Sequence, residues 1–210
     1  MPSVESKINL LRLIAIAALF AVHTGAYYWQ PVGDPSLVSG EVGAAETARI
    51  TFDMHILVTL IVMAWVMQAM AVHHVSGLAS ARPWLAPACI ILDTLWLTAL
   101  LCLTRGPGSA MVAAYFLIIA TGTWRLDLRW VRLSTLVCIA GYLVVLGAAR
   151  WPMGILREIP MILVPRYHQG LMVTALALAG LLADQTVRQA YRLMDLPADA
   201  STSPTMRKST

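Results

Sequence analysis

Residues 50–74 read ITFDMHILVTLIVMAWVMQAMAVHH, from Ile50 to His74. Crossing a bilayer takes roughly 20 apolar residues, and this run supplies them. It nevertheless carries Asp53 and His55 within its first two turns. An ionisable side chain inside a membrane span is expensive and is by default a functional hypothesis. Two other apolar runs bring a histidine to comparable depth, His23 in the first and His168 in the last.

Composition sets the class. Of 210 residues, 59% are hydrophobic and only 12% are charged, about half the charge of an ordinary soluble domain. The charges cluster between long apolar runs, the pattern of an all-α bundle whose outer surface faces lipid. A net charge of +4 does not indicate nucleic acid, because the basic residues lie at span ends. Cys89, Cys102 and Cys138 sit inside apolar runs without CxxC spacing, so they form neither a disulfide framework nor a cysteine metal cluster. The first run is long and is followed by Tyr27, Tyr28, Trp29 and Gln30 rather than a small-residue cleavage site, so it reads as a retained span.

The hydropathy pattern predicts six spans, at about 8–28, 50–73, 84–104, 110–124, 133–149 and 167–183, within a transmembrane domain of residues 1–190. The fourth is short for a bilayer, and Arg105-Gly106-Pro107-Gly108 before it reads as a tight turn. Residues 184–196 continue as a helical extension with Val187, Tyr191 and Met194 on one face. After Pro197 the tail, 197–210, has the composition of disorder. Lysine and arginine set the orientation: Lys7, Arg12, Arg82, Arg125, Arg129, Arg132, Arg188, Arg192, Arg207 and Lys208 fall on one side, and Arg49, Arg105, Arg150, Arg157 and Arg166 on the other. Ten against five places both termini in the cytoplasm.

This topology puts His23 and His55 each about six residues, or roughly 9 Å, below the outer surface. His168 starts the sixth span from the same side, and Asp93 lies about eleven residues in from the outer end of the third. Three imidazoles with Asp93 or Asp53 have the ligand types for one zinc, copper or iron ion. Haem b with axial histidines is the variant of that reading. Against a single site, Asp53 and His55 are about 200° apart around a helix. Asp53 also has Arg49 at i−4 as an ion-pair partner. For Asp93 the plain alternative is a protonated carboxyl, or a hydrogen bond to a neighbouring helix, for example to a threonine or to Tyr115. His73 and His74 read as interfacial. Met63, Met67 and Met70 form a stripe that suggests a copper(I) path, but methionine is also an ordinary filler of apolar cores. Arg105 in its turn could hold an anion or a lipid headgroup; an exposed loop arginine is the simpler reading. Ala175, Ala179, Gly180 and Ala183 give the last span a small face suited to close helix packing.

Several stretches carry a resemblance: KINLLRLIAI…VH (Lys7 to His23), the DMH of the second span, LDTLWLTALL…RGPGS…YFLIIA (Leu92 to Ala120) and PRYHQG…ALALAGLLADQ (Pro165 to Gln185). Together they resemble the six-helix membrane regions that bacteria place ahead of nucleotide cyclases, histidine kinases and similar signalling outputs. The resemblance implies a sensor or anchor of the bacterial inner membrane, with the helix after the sixth span as its signalling stalk. No output domain is read after Pro197, so either relay to a separate cytoplasmic partner through 184–196 or a stand-alone relative is expected, and a homodimer would be natural if the 184–196 helix pairs with its twin. The alternatives are a metal- or haem-dependent membrane redox protein, acting on a lipid-phase quinone, and a small-solute or ion transporter. The transporter reading lacks evident inverted repeats. No nucleophile–base pair or phosphate loop supports a hydrolytic enzyme.

Overall fold

The computed structural model describes residues 4–28, 52–78, 85–104, 106–152 and 164–194. Among these the chain is all-helical, with no strand. Six α-helices run in order: α1 (Val4–Tyr28), α2 (Phe52–Leu78), α3 (Leu85–Leu103), α4 (Ala114–Thr123), α5 (Leu128–Arg150) and α6 (Arg166–Met194). Two short 3₁₀ turns, Gly106–Gly108 and Ala110–Ala113, lie between α3 and α4. Arg49, Arg105 and the tail 197–210 fall outside the described residues.

Five helices, α1, α2, α3, α5 and α6, are long and apolar enough to cross a membrane. The fourth is not. Ten residues of α4 rise only about 15 Å, against a hydrocarbon core of about 30 Å. The sequence cuts it at both ends. Gly106 takes a positive φ of 66° and Ser109 accepts from the Met111 N–H, which starts a 3₁₀ turn rather than an α-helix. After Thr123 the chain turns through Leu126, at φ 51°, into Asp127. Asp127 is extended, and its carboxylate accepts from the Arg129 N–H at 2.9 Å. That N-cap is why α5 begins at Leu128, five residues ahead of the expected span. At the other end of the chain, the sixth span and its expected extension, as far as Met194, are one unbroken helix.

The helices pack in a sequence of neighbours. α1 lies on α2, α2 on α3, and α3 on α5, while α4 and α6 pack on α5 and on each other. Leu97, Tyr115, Val131, Cys138, Val145 and Leu176 are fully buried at the centre. Two glycines permit the closest approaches. A Cβ on Gly141 would lie 2.7 Å from Thr98 Oγ1, and one on Gly180 would overlap the Thr135 side chain. The small face of α6 therefore seats it on α5.

The outside is as apolar as the core. Leu10, Ile14, Leu60, Leu136, Leu143, Leu171, Leu178 and Leu182 are all exposed. The methionine stripe belongs here too, with Met63, Met67 and Met70 at 56%, 63% and 58% exposure. These side chains are on the exterior of α2, so they neither fill the core nor line an internal path. Helices apolar all round are buried in protein or in lipid.

Candidate functional site

The face of α1 against its neighbours is not purely apolar. Asn9, Arg12, Ile16 and His23 recur at spacings of three, four and seven, and all four are buried. Burying such groups without partners is costly, and each finds one. Asn9 Nδ2 donates to the Ala69 carbonyl of α2 at 3.1 Å, and its Oδ1 accepts from Arg12 Nη1 at 3.1 Å. Arg12 Nε stands 2.8 Å from Asp93 Oδ2 on α3. The second carboxylate oxygen, Oδ1, accepts from the Trp65 indole N–H of α2 at 2.9 Å. Three helices are thus tied by one polar network, and both Asp93 oxygens are occupied.

Asp93 is hydrogen-bonded to a neighbouring helix, as in its plain alternative, but through the Trp65 indole rather than a threonine or Tyr115, whose hydroxyl lies 2.9 Å from Thr98 Oγ1. One expectation is corrected. Arg12 is not a charge at a span end but is buried within the bundle. Removing it from the six-span charge count leaves nine against five.

His23 and His55 meet. His55 Nδ1 lies 3.3 Å from His23 Nε2, the rings are within 10° of parallel, and Tyr28 presents an edge to His55. One imidazole donates to the other, so at least one must be neutral. Of the other expected members, Asp93 and His168 do not join them. Asp93 belongs to a network about 15 Å further along α1 and α2, judged from the ten or eleven residues separating His23 from Arg12 and His55 from Trp65. His168 is exposed on α6, its ring 4.3 Å from that of Tyr167. Asp53 starts α2, but its side chain lies outside the described residues, as does Arg49. Among the described residues no group of three or more His, Cys, Asp or Glu comes together. The His23 and His55 rings are in direct contact, with no space for a haem between them in this arrangement.

Beside the Asp93 network a cleft of about 280 Å³ opens between α1 and α4. Arg12, Asp93 and Trp65 line it together with apolar residues of both helices, among them Ala15 and Ala114. Ile14 and Leu117 also line it and are 58% and 52% exposed, so the mouth is on the apolar exterior.

Away from the cleft, α4, α5 and α6 share further polar contacts. Tyr115 of α4 accepts the Cys138 thiol of α5 at its carbonyl, 3.6 Å away. On α5, Arg132 Nε lies 3.2 Å from Asp184 Oδ1 of α6, while Arg188 holds Oδ2 at 2.7 Å. The Tyr191 hydroxyl donates to the Leu126 carbonyl in the α4–α5 turn, and Val187 is buried. The apolar face of the α6 extension, with Val187 and Tyr191, is thus partly engaged within its own chain.

Asn9, Arg12 and Trp65 were not among the sequence candidates. A signal for the first two existed: they share the helical face of His23. The chain matches no protein-family model, no curated protein and no solved structure.

Proposed function

We propose that this chain is a multi-pass membrane sensor of the bacterial inner membrane, with both termini cytoplasmic, whose sensing site is the Arg12–Asp93 cleft and whose output element is α6. The carrying observation is the Arg12–Asp93 ion pair, buried at a cleft in a bundle with an apolar exterior. A buried pair is a weak source of stability and is best attested in registry or switching roles. The exterior of exposed leucines and methionines supports lipid as the surroundings. With residues 106–123, which run from Pro107 beside Arg150 to Gly122 beside Ser134 of α5, counted as a sixth crossing, the nine-to-five bias supports the orientation. Its resemblance to six-helix sensor regions supports a cytoplasmic partner reached through the end of α6.

In this reading, a change at Asp93 moves α3 against α4 and α5, and the Arg132–Asp184 and Tyr191–Leu126 contacts carry the movement into α6. Helix shifts of about 1–2 Å are typical of such transitions.

The test uses the full chain in lipid nanodiscs with spin labels at Arg129→Cys and Gln189→Cys, both exposed positions near the far end of α6. The three native cysteines are buried. Asp93→Asn is expected to shift or split the inter-label distance distribution. An unchanged distribution in the folded variant would reduce the chain to a static anchor.

A further inference from the structure

We infer that the cleft between α1 and α4 binds the headgroup of a lipophilic quinone entering sideways from the bilayer. This rests on the reading of that cleft as the sensing site.

Four features select the class. The mouth lies between Ile14 and Leu117, both exposed on the apolar exterior, so the entering molecule comes from an apolar phase. The volume of about 280 Å³ falls just under the roughly 300–1,000 Å³ of sites that enclose a whole drug-sized molecule. It suits a headgroup whose tail stays outside. At the cleft, the Arg12 and Asp93 charges cancel at 2.8 Å, so a second anion or cation gains no net attraction and a neutral headgroup is favoured. Finally, a guanidinium has five N–H groups, more than Asp93, Asn9 and Cys89 take up, whereas each Asp93 oxygen already accepts one of the roughly two bonds open to it. The cleft therefore offers donors and asks for acceptors. A flat, neutral ring bearing carbonyl oxygens on an apolar tail meets all four conditions.

A charged lipid headgroup fits less well, since a phosphate drawn to Arg12 would also stand beside the Asp93 carboxylate. A wholly apolar molecule would leave the spare guanidinium N–H groups unmatched.

The test titrates decyl-ubiquinone into the full-length protein in phosphatidylcholine nanodiscs and follows quenching of tryptophan fluorescence, Trp65 being part of the cleft lining. Saturable quenching is expected. Ala15→Phe, which fills the cleft while leaving every member of the polar network in place, should weaken it at least tenfold, as should Arg12→Gln. Thermal unfolding confirms which variants remain folded, and Ala15→Phe keeps the test decisive if Arg12→Gln does not fold. Quenching that rises linearly with quinone, or saturates identically in folded Ala15→Phe, overturns the proposal. So does saturable binding of dihexanoyl phosphatidic acid in place of the quinone. If the quinone fails to bind while Asp93→Asn still moves α6, the assigned class is wrong and the sensor reading stands. If it binds and α6 does not move, the binding site stands and the relay falls.

Discussion

Arg12 of α1 and Asp93 of α3 are 81 positions apart in the chain and 2.8 Å apart in space, with both side chains nearly sealed from the surroundings. Between them they decide how α1 sits on the bundle, because Asn9 and Trp65 complete the same network through α2. Removing one partner strands the other charge. Arg12→Ala or Asp93→Ala should destabilise the protein by about 3–5 kcal/mol, whereas Arg12→Leu with Asp93→Leu should recover most of that loss. Reversible unfolding in mixed micelles measures both. Additive losses in the double variant would mean that the two residues act independently.

Gly180 and Thr135 test the seating of α6. A methyl group on Gly180 would overlap the Thr135 side chain, and even the Thr135 Cβ would be only 2.9 Å away. Overpacking of this kind costs about 1–3 kcal/mol. Gly180→Ala should therefore lower the thermal midpoint, and adding Thr135→Ala should restore part of it. Recovery stays partial because the Thr135 Cβ remains. A neutral Gly180→Ala would show that α5 and α6 are further apart than described.

The α4–α5 turn offers a change in the opposite direction. Leu126 adopts φ 51°, a left-handed conformation that costs a non-glycine residue roughly 1–2 kcal/mol. Leu126→Gly should stabilise the protein by about 0.5–1 kcal/mol once the extra freedom of the unfolded chain is deducted. Tyr191 donates to the carbonyl of the same residue. Tyr191→Phe should speed amide exchange over the last two turns of α6 and leave α1 to α3 unaffected. Uniform acceleration across the chain would point to global destabilisation instead.

Helix positions along the chain were readable because bilayer-length apolar runs need no tertiary information. The brevity of the fourth span was visible in its flanking Gly-Pro-Gly and charged residues. Azimuth was not readable. Counting residues from a span end puts His23, His55 and His168 at related depths, but depth does not say which helices are neighbours. His168 rides on α6, which packs on α4 and α5, while the other two face each other across α1 and α2. Arg12 was misread for a related reason. A basic residue one turn into a span looks like an orientation signal, and its true partner lies two helices later. Its placement on the helical face of Asn9, Ile16 and His23 was the available clue.

His23 and His55 set the last test, because a hydrogen-bonded pair and a pair of metal ligands respond differently. His23 is only 3% exposed, and its Nε2 partner is His55 Nδ1 at 3.3 Å. His55→Phe keeps the ring and removes the partner, leaving a buried imidazole nitrogen unsatisfied at a cost of about 1–3 kcal/mol. Replacing both histidines by phenylalanine removes the unsatisfied group, so the double variant should be more stable than either single one. Elemental analysis of the same proteins separates the alternatives. A centre completed by side chains outside the described residues would bring about one equivalent of zinc, copper or iron to the wild type. That metal would be lost in both single variants and kept in His168→Ala. The double variant would then be the least stable of the set, since it removes two ligands at once.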